Sequence, residues 1–392
     1  MKTAYAGQHG KSDRSDCMLR LTLKNDGGRK ITINSKVKLL FEQAILKTIT
    51  EGLDLFSIEH ADLIIDDNGA PDYVIMARLE ACIKKLKDSN IEFLPEMLSQ
   101  NTIHTSRERM RRSRLYLPGN TPKLSLNAGL HSGDGIILDL EDSVAPDRKD
   151  EARILVRNSL RQVDFYGAER MVRINQGERG LKDLDAVIPQ HVNVILLPKC
   201  ETPEQLLAVD KRIQDLRKEH GIKEDVWIMP IIESALGVIK AYDIAAASKN
   251  VVALAIGLED YTADIGAPRT RKGDETFFAR GTLINAAKAN ALQAIDSVFS
   301  DVSDMEALRE NVLASKALGF DGMGCIHPRQ IKVIHEAFAP TEKEIDKART
   351  IVEAFKEAED KGLGVVSVGS KMIDPPVVKR ALRIMELAEK EV

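Results

Sequence analysis

Eight short apolar runs recur between residues 113 and 325, and most are separated by a segment of helix length. Strand-length runs that alternate with helical segments are typical of parallel sheets with helices packed on them. Eight is the strand number of a (β/α)8 barrel, so we expect an α/β fold of this kind, with a doubly wound sheet as the alternative. The runs are Ser113–Leu117, Gly135–Leu140, Arg170–Ile174, Val192–Leu197, Val226–Ile232, Val251–Ile256, Ala294–Val298 and Gly322–Cys325.

The residues before these runs follow a different pattern. Leu19–Leu23 and Lys30–Ile33 alternate on either side of a glycine-containing turn, which predicts a β-hairpin. An apolar stripe from Val37 to Ile49 predicts a helix. Ala61–Ile65 is typical of a further strand, and Tyr73–Lys87 of a strand that continues into a helix. We therefore expect a small α+β domain.

Changes of pattern also predict the domain boundaries. We assign residues 1–90 to the small domain, 112–340 to the barrel, and 341–392 to amphipathic helices that form a lid or a contact between subunits. Residues 91–111 join the first two. Several arginines lie near the end of this segment, and charge runs are usually solvated, so we interpret it as a solvated linker rather than an anion site.

Composition excludes several classes of function. Lys and Arg number 56 against 60 Asp and Glu, a net charge of −4, so no general positive field would attract nucleic acid. No apolar run approaches the roughly 18 residues of a membrane span, and the N-terminus lacks the apolar stretch of a secretory signal. Four scattered cysteines form no CxxC pair. We expect a cytoplasmic protein with reduced thiols that binds neither membranes nor nucleic acid.

Acidic residues follow several of the predicted strands. The carboxyl ends of barrel strands form the face on which chemistry occurs. Carboxylates gathered there repel one another unless a cation lies between them, and Mg²⁺ prefers one or two carboxylates together with water and substrate oxygens. Glu233 and Asp260 end successive strands and suit such a site. Either could instead cap the helix that follows it.

Basic residues at strand ends suit an acidic substrate. Arg173 offers a planar guanidinium that binds a carboxylate through two hydrogen bonds, as an oxoacid or hydroxyacid would require. Arg114 and Lys199 could bind a carboxylate, a phosphate or a thioester oxygen. For Lys199 a structural ion pair is an equally good interpretation.

Seven motifs follow one another along the barrel segment: RSRLYLP (112–118), LDLEDSV (138–144), VRIN (172–175), LPK (197–199), IIESALGV (231–238), GLEDYTADIG (257–266) and IHP (326–328). Together they resemble the citrate lyase β-subunit family, over the chain from about Arg111 to its end. That family groups with malyl-CoA and citramalyl-CoA lyases, which are Mg²⁺-dependent (β/α)8 barrels. The set is specific, although each motif alone is weak.

This resemblance implies roles for residues at the barrel mouth. Glu233 and Asp260 fall on the metal ligands of the family, and Arg173 falls on its substrate-binding arginine. Glu141 and Asp142 fall on an acidic pair near the metal. The site is therefore expected to hold Mg²⁺ between carboxylates, opposite a guanidinium that binds the substrate.

The C-terminal segment contains one further matching motif. In related lyases an aspartate of the C-terminal lid enters the site of a neighbouring subunit, and residues 372–375 (MIDP) match that motif. Asp374 is therefore a catalytic candidate, and a homotrimer or hexamer is the expected assembly.

The small domain contains residues 66–79 (DDNGAPDYVIMARL), an early Ala6-Gly7 and Ser15-Asp16. With these residues it resembles the acyl carrier protein, or γ subunit, of citrate lyase. In that family a serine carries a phosphoribosyl-dephospho-CoA arm through a phosphodiester. Ser15 is the candidate and Ser12 the alternative, whereas without the resemblance Ser15-Asp16 would be interpreted as a simple turn.

Taken with the residues, the resemblance predicts a Mg²⁺-dependent lyase that splits a citryl thioester, on a carrier or on CoA, into an acetyl thioester and oxaloacetate. A lyase for citramalyl-CoA or malyl-CoA is the nearest alternative. A non-catalytic scaffold of a citrate lyase complex is an alternative of another class. A transferase (α) subunit is the expected partner.

Overall fold

The computed structural model describes residues 2–8, 10, 13–360, 366–368 and 371–389. It contains a small α+β domain, a closed barrel and a C-terminal helical segment. All four cysteines lie buried as free thiols. Within the described ranges, no helix has both the length and the apolar character needed to cross a membrane.

The small domain is a four-stranded sheet covered by two helices. Its elements are β1 (Thr3–Gly7), β2 (Cys17–Leu23), β3 (Arg29–Ser35), α1 (Lys38–Leu55), β4 (Ala61–Asp67) and α2 (Asp72–Leu86). The strands lie in the order β1-β2-β4-β3, with β2 antiparallel and β3 parallel to β4. The predicted hairpin of β2 and β3 is therefore wrong, because β4 lies between them. Ala61, Leu63 and Ile65 of β4 are all buried, so this strand takes a central position.

The strand predicted at the start of residues 73–87 is also wrong, because helix α2 covers this segment. Asp72–Leu86 is helical throughout, with Pro71 as its N-cap, so no strand begins at Tyr73. All residues from Tyr73 to Ile83 are buried, because the helix lies between the small sheet and a helix of the barrel. A helix buried on every side lacks a polar face, and its apolar start therefore resembles a strand.

The eight predicted barrel strands are all present and close into one parallel barrel, which excludes the doubly wound sheet. The strands are β5 (Ser113–Pro118), β6 (Gly135–Asp139), β7 (Glu169–Arg173), β8 (Val194–Leu197), β9 (Trp227–Ile232), β10 (Ala253–Ile256), β11 (Gln293–Asp296) and β12 (Gly322–Cys325). The helices are α3 (Pro122–Ser125), α4 (Lys149–Gln162), α5 (Gly177–Val187), α6 (Pro203–Glu219), α7 (Ala235–Ile239), α8 (Ala241–Ala246), α9 (Leu258–Asp264), α10 (Phe277–Ala289), α11 (Met305–Leu318) and α12 (Pro328–Phe338).

Two apolar layers hold the barrel together. Alternate strand residues point inward and outward, so Ile228 and Ile232 pack under the helices while Met229 and Ile231 fill the interior. This alternation continues past the last residue of each strand, and it decides which side chains enter the mouth.

The segment before the barrel is packed against it, so its interpretation as a solvated linker is wrong. Arg111 is buried and donates to both carboxylate oxygens of Glu169 at 2.7 and 2.8 Å. Asn101 is also buried, and its amide donates to the Leu160 carbonyl at 3.0 Å. Because the Arg111 guanidinium pairs with a buried carboxylate, this end of the segment is part of the core of the barrel domain.

A buried charge network joins the small domain to the barrel. Arg78 on α2 donates to both carboxylate oxygens of Asp16 at 3.0 and 2.8 Å and to Glu151 on α4 at 3.3 Å. It also donates to the carbonyl of Asn120, in the loop after β5, at 3.1 Å. Arg78 is fully buried. The small domain is therefore fixed on α4, beside the mouth end of the barrel.

The C-terminal segment consists of α13 (Glu342–Asp360), β13 (Val366–Val368), β14 (Lys371–Ile373) and α14 (Pro375–Glu389). Its two helices pack on each other around their own apolar cluster. Arg383 of α14 forms an ion pair with Asp321, which precedes β12 and therefore lies at the face opposite the mouth. The action of this segment as a lid stays a prediction.

Candidate active site

A cavity of about 610 Å³ lies at the carboxyl ends of the strands. Its polar wall follows from the inward alternation of the strands. Ile137, Met171 and Ile231 are inward-facing interior residues, and the residues two positions later are polar. The polar side chains that line the cavity include Arg114, Tyr116, Asp139, Asp142, Arg173, Glu233 and Asp260.

Arg173 is held firmly in place at the end of β7. Its guanidinium donates to both oxygens of Asp139 at 2.6 and 2.7 Å, and Nη1 lies 3.1 Å from Glu141 Oε2. It also lies over the Tyr116 ring, 5.3 Å from the centroid. Although burial alone would raise the pKa of Asp139, the hydrogen bonds from Arg173 hold it below its ordinary value. Asp139 fixes the orientation of the arginine.

Asp139 has no predicted role, although it is the first acid of the run at positions 139–142. The available signal was its inward position, two residues after Ile137. Opposite charges that end neighbouring strands β6 and β7 at paired positions form a cross-strand pair.

Lys199 lies among three acidic side chains. Its Nζ is 3.1 Å from Glu141, 3.4 Å from Asp142 and 3.6 Å from Asp260. Its φ of +48° turns the chain sharply after β8, a strained conformation for a residue other than glycine. Although partial burial opposes the charged form, these carboxylates raise the pKa of Lys199 above its ordinary value. The structure therefore contains the ion pair that was one of its two interpretations.

Glu233 is a carboxyl group of the mouth whose pKa is raised. It is buried, and its Oε2 accepts no hydrogen bond within the described part of the chain. Burial, and then the neighbouring Asp260 carboxylate, raises the pKa of Glu233 to about 8. A Cβ on Gly257 would lie 2.7 Å from Glu233 Cγ, so the glycine leaves room for this side chain.

These properties provide a test of the predicted metal site. An unpartnered buried carboxylate oxygen beside a second carboxylate is the environment that a divalent cation would stabilise. Among the residues that the structure describes, no three His, Cys, Asp or Glu side chains group closely enough to hold a metal ion. Glu233 and Asp260 therefore suit a hard cation that takes its other ligands from water and substrate.

The remaining candidates lie away from the mouth or outside the described residues. Asp374 caps α14, where its Oδ1 accepts from the Val377 backbone N–H at 3.2 Å, and none of its described contacts reaches a mouth residue. Ser15 is half-buried in a turn with φ of +60°, directly before Asp16 of the network that includes Asn120. Ser12 lies outside the described residues.

An eight-stranded parallel barrel with a carboxylate pair and a fixed guanidinium at its mouth has the architecture of a barrel enzyme. Residues 112–328 match the family model described as HpcH/HpaI aldolase/citrate lyase. The chain belongs to this family, and it is a lyase. Residues 1–86 match the model described as malonate decarboxylase delta subunit (MdcD), an acyl-carrier-like domain.

Curated relatives agree with this assignment. Citrate lyase subunit beta of Leuconostoc mesenteroides subsp. cremoris is 40% identical over 284 residues, which cover 72% of this chain and 94% of that protein. The mitochondrial citramalyl-CoA lyase of Rattus norvegicus is 33% identical over 290 residues, which cover 71% and 86%.

A solved structure has the same fold. CitE from Mycobacterium tuberculosis, in complex with magnesium, acetoacetate and coenzyme A, superposes with a TM-score of 0.60 at 29% identity, covering 72% of this chain and 100% of that one. The citrate lyase beta subunit from M. tuberculosis complexed with oxaloacetate and magnesium superposes with a TM-score of 0.51 at 31% identity, covering 60% and 99%.

Proposed function

We propose that this chain cleaves a citryl thioester into an acetyl thioester and oxaloacetate. The observation that carries the proposal is the unpartnered carboxylate oxygen Oε2 of Glu233 beside Asp260, in the same cavity as the fixed guanidinium of Arg173. The cavity is large enough for a small acid, and its groups suit a hydroxyl and a carboxylate on one carbon.

Glu233 and Asp260 are the residues that would hold Mg²⁺. Bound there, the ion would lower the pKa of the substrate hydroxyl and stabilise negative charge on its oxygen. The structural relatives crystallised with magnesium support this choice of ion. Glu141 and Asp142 add negative charge beside the site and hold Lys199 near Asp260.

Arg173 would orient the oxoacid part of the substrate. Asp139 occupies its Nε and Nη2, so Nη1 is the donor left to face a substrate carboxylate once Glu141 moves or shares it. Because Asp139 fixes the guanidinium plane, little conformational entropy is lost when the substrate binds.

The chemistry is a retro-Claisen cleavage. A base removes the hydroxyl proton, the oxygen electrons form the keto group of oxaloacetate, and the broken carbon–carbon bond supplies the electrons of the thioester enolate. Protonation of that enolate gives the acetyl thioester, so no other reactant is consumed. Asp374 of a neighbouring subunit is the proposed acid–base residue, in a homotrimer or hexamer.

The small domain would serve as the carrier. Ser15, or alternatively Ser12, is the proposed attachment point for a phosphoribosyl-dephospho-CoA arm, and a transferase (α) subunit would load the acyl group in the cytoplasm. The match of residues 1–86 to an acyl-carrier-like model supports this role. It favours the carrier thioester over the alternative in which citramalyl-CoA or malyl-CoA is cleaved free.

A purified chain tests the proposal directly. We expect Mg²⁺-dependent release of oxaloacetate from citryl-CoA, and at least a 10³-fold loss of kcat in Asp260→Asn, which keeps the volume of the side chain. Arg212→Met, on the surface of α6, is the matched control. Wild-type protein that releases no oxaloacetate in the presence of Mg²⁺ would support the scaffold alternative.

A further inference from the structure

Arg114 is a buried arginine inside the barrel. It is the second residue of β5, and only 1% of its surface is exposed. Its neighbour Leu115 packs outward under the helices, so Arg114 points inward, where its Nη1 lies 3.0 Å from the Met229 sulfur on the opposite side of the barrel. The guanidinium therefore lies beneath the mouth among apolar interior residues.

This guanidinium has no acidic partner among the residues that the structure describes. The four largest fully buried side chains of those residues are all arginines, and three of them pair with acids: Arg78 with Asp16, Arg111 with Glu169 and Arg157 with Glu80. Arg114 forms no ion pair with any described carboxylate, and its Nε–H donates to no residue in that part of the chain.

The nearby polar group does not supply a negative charge. Tyr116 lies beside Arg114, but burial raises the pKa of its phenol above the ordinary value, so it stays neutral. A cation in a medium of low polarity destabilises the folded protein unless an anion is bound close to it. In the ligand-free protein the positive charge of Arg114 is therefore not neutralised, and an anionic ligand could neutralise it.

The cavity gives a ligand access to Arg114. The same cavity of about 610 Å³ is lined by Arg114, Arg173 and Glu233. Gly324 keeps one side open, since a Cβ there would lie 2.7 Å from Val298 Cγ1 and 3.7 Å from Arg114 Nη2. An anionic group of a ligand bound at the metal-binding end could therefore contact the Arg114 guanidinium, with which no described carboxylate competes.

We propose that Arg114 binds a second carboxylate on the oxoacid part of the substrate and so selects a dicarboxylic oxoacid over one that carries a methyl group there. The inference rests on the proposed function, in which the metal site and Arg173 take the hydroxyl and the first carboxylate. Arg173 cannot serve the second one as well, because Asp139 occupies two of its nitrogens. Arg114 pairs with no described carboxylate; its contacts are the Met229 sulfur and the Tyr116 phenol, which a substrate carboxylate would replace in a bidentate pair.

Two substrates isolate this contact. Citryl-CoA and citramalyl-CoA differ by one carboxylate on the cleaved part. We expect wild type to prefer citryl-CoA, and Arg114→Met to lose about 10²- to 10³-fold in kcat/KM for citryl-CoA while changing less than about threefold for citramalyl-CoA. An equal loss for both, or an unchanged preference, would overturn the role of Arg114 and leave the proposed cleavage intact.

Binding and stability measurements separate this role from a structural one. Calorimetry in Mg²⁺ should show that Arg114→Met loses oxaloacetate affinity but keeps pyruvate affinity. If wild type cleaves neither thioester, this contrast still establishes the carboxylate site while the proposed function fails. The ligand-free variant should also melt at a higher temperature, because it loses an uncompensated charge.

A matched variant gives the opposite result for a structural arginine. Arg111→Met removes the ion pair of the buried Glu169 carboxylate, so this variant should melt at a lower temperature. The ratio of its activities on citryl-CoA and citramalyl-CoA should be unchanged. Arg114→Gln provides a second test if Arg114→Met does not fold, since it removes the charge and retains a polar side chain. A lower melting temperature for both Arg114 variants, with oxaloacetate affinity retained, would contradict the proposal.

Discussion

Removal of Arg78 should uncouple the small domain from the barrel. In Arg78→Met the hydrogen bonds to Asp16, Glu151 and Asn120 are lost together. Glu151 keeps Lys85, 3.0 Å away, and Arg148 as cationic neighbours. Asp16 keeps none of its described cationic partners and is 2% exposed. The substitution therefore leaves a buried carboxylate without a positive charge beside it.

The size of the effect follows from this burial. Both side chains of the Arg78–Asp16 pair are almost fully buried, so solvent screening gives little relief. Breaking a buried pair by removing one partner typically costs about 3–5 kcal/mol. We expect a loss of this size in the free energy of unfolding, with the small domain unfolding at a lower urea concentration than the barrel.

The loss should depend on pH. Burial raises the pKa of Asp16 above its ordinary value, and removal of Arg78 raises it further. A carboxyl group whose pKa is raised by folding binds a proton more readily in the folded state, so the variant gains stability as the pH falls through the folded-state pKa towards the unfolded-state pKa. The difference from wild type should therefore be larger at pH 8 than at pH 5.

Urea denaturation, followed by circular dichroism at both pH values, measures the effect. Arg212→Met is the control, because the ion pair of Arg212 with Asp185 lies on the surface and should contribute only about 0–1 kcal/mol. If Arg78→Met unfolds at the same urea concentration as wild type, the buried network does not hold the two domains together.

Three further results are expected. Asp260→Ala should fold normally and lose cleavage, and cleavage by that variant in a chelator would refute the metal role of Glu233 and Asp260. Mixing Asp374→Ala with Glu233→Ala chains should restore part of the activity, because hybrid assemblies contain sites with one intact copy of each group; demonstrably mixed oligomers without recovery would argue against a shared site. Intact mass spectrometry of protein from its native host should show added mass that Ser15→Ala removes, or Ser12→Ala if Ser12 is the attachment point, whereas a wild type at its calculated polypeptide mass would refute the carrier role.

The barrel could be predicted from the sequence because each of its strands is buried on both sides. Such strands are nearly continuous apolar runs, and an acid or base at the end of a run is easily recognised, as with Glu233 and Asp260. The placement of these two carboxylates at one cavity follows directly from the fold.

Other features depend on partners that are distant in the sequence. The position of β4 between β2 and β3 results from pairing with strands that are distant in the sequence, which a local alternation does not reveal. Arg111, Arg173 and Arg114 look alike in the sequence, yet within the described part of the chain the first two have acidic partners and the third has none. Only the folded barrel distinguishes an arginine in an ion pair of the core from an arginine that is available to bind an anionic ligand.

The fixed small domain has a consequence for reaction kinetics. The Ser15 turn is joined to the loop after β5 through Asp16 and Arg78, so any acyl arm on Ser15 would start from a constant position beside its own barrel. A tethered group of this kind experiences an effective concentration of the order of mM, however dilute the protein is. Cleavage of a carried thioester would then be first order and insensitive to dilution, whereas cleavage of a free CoA thioester would slow as enzyme and substrate are diluted together.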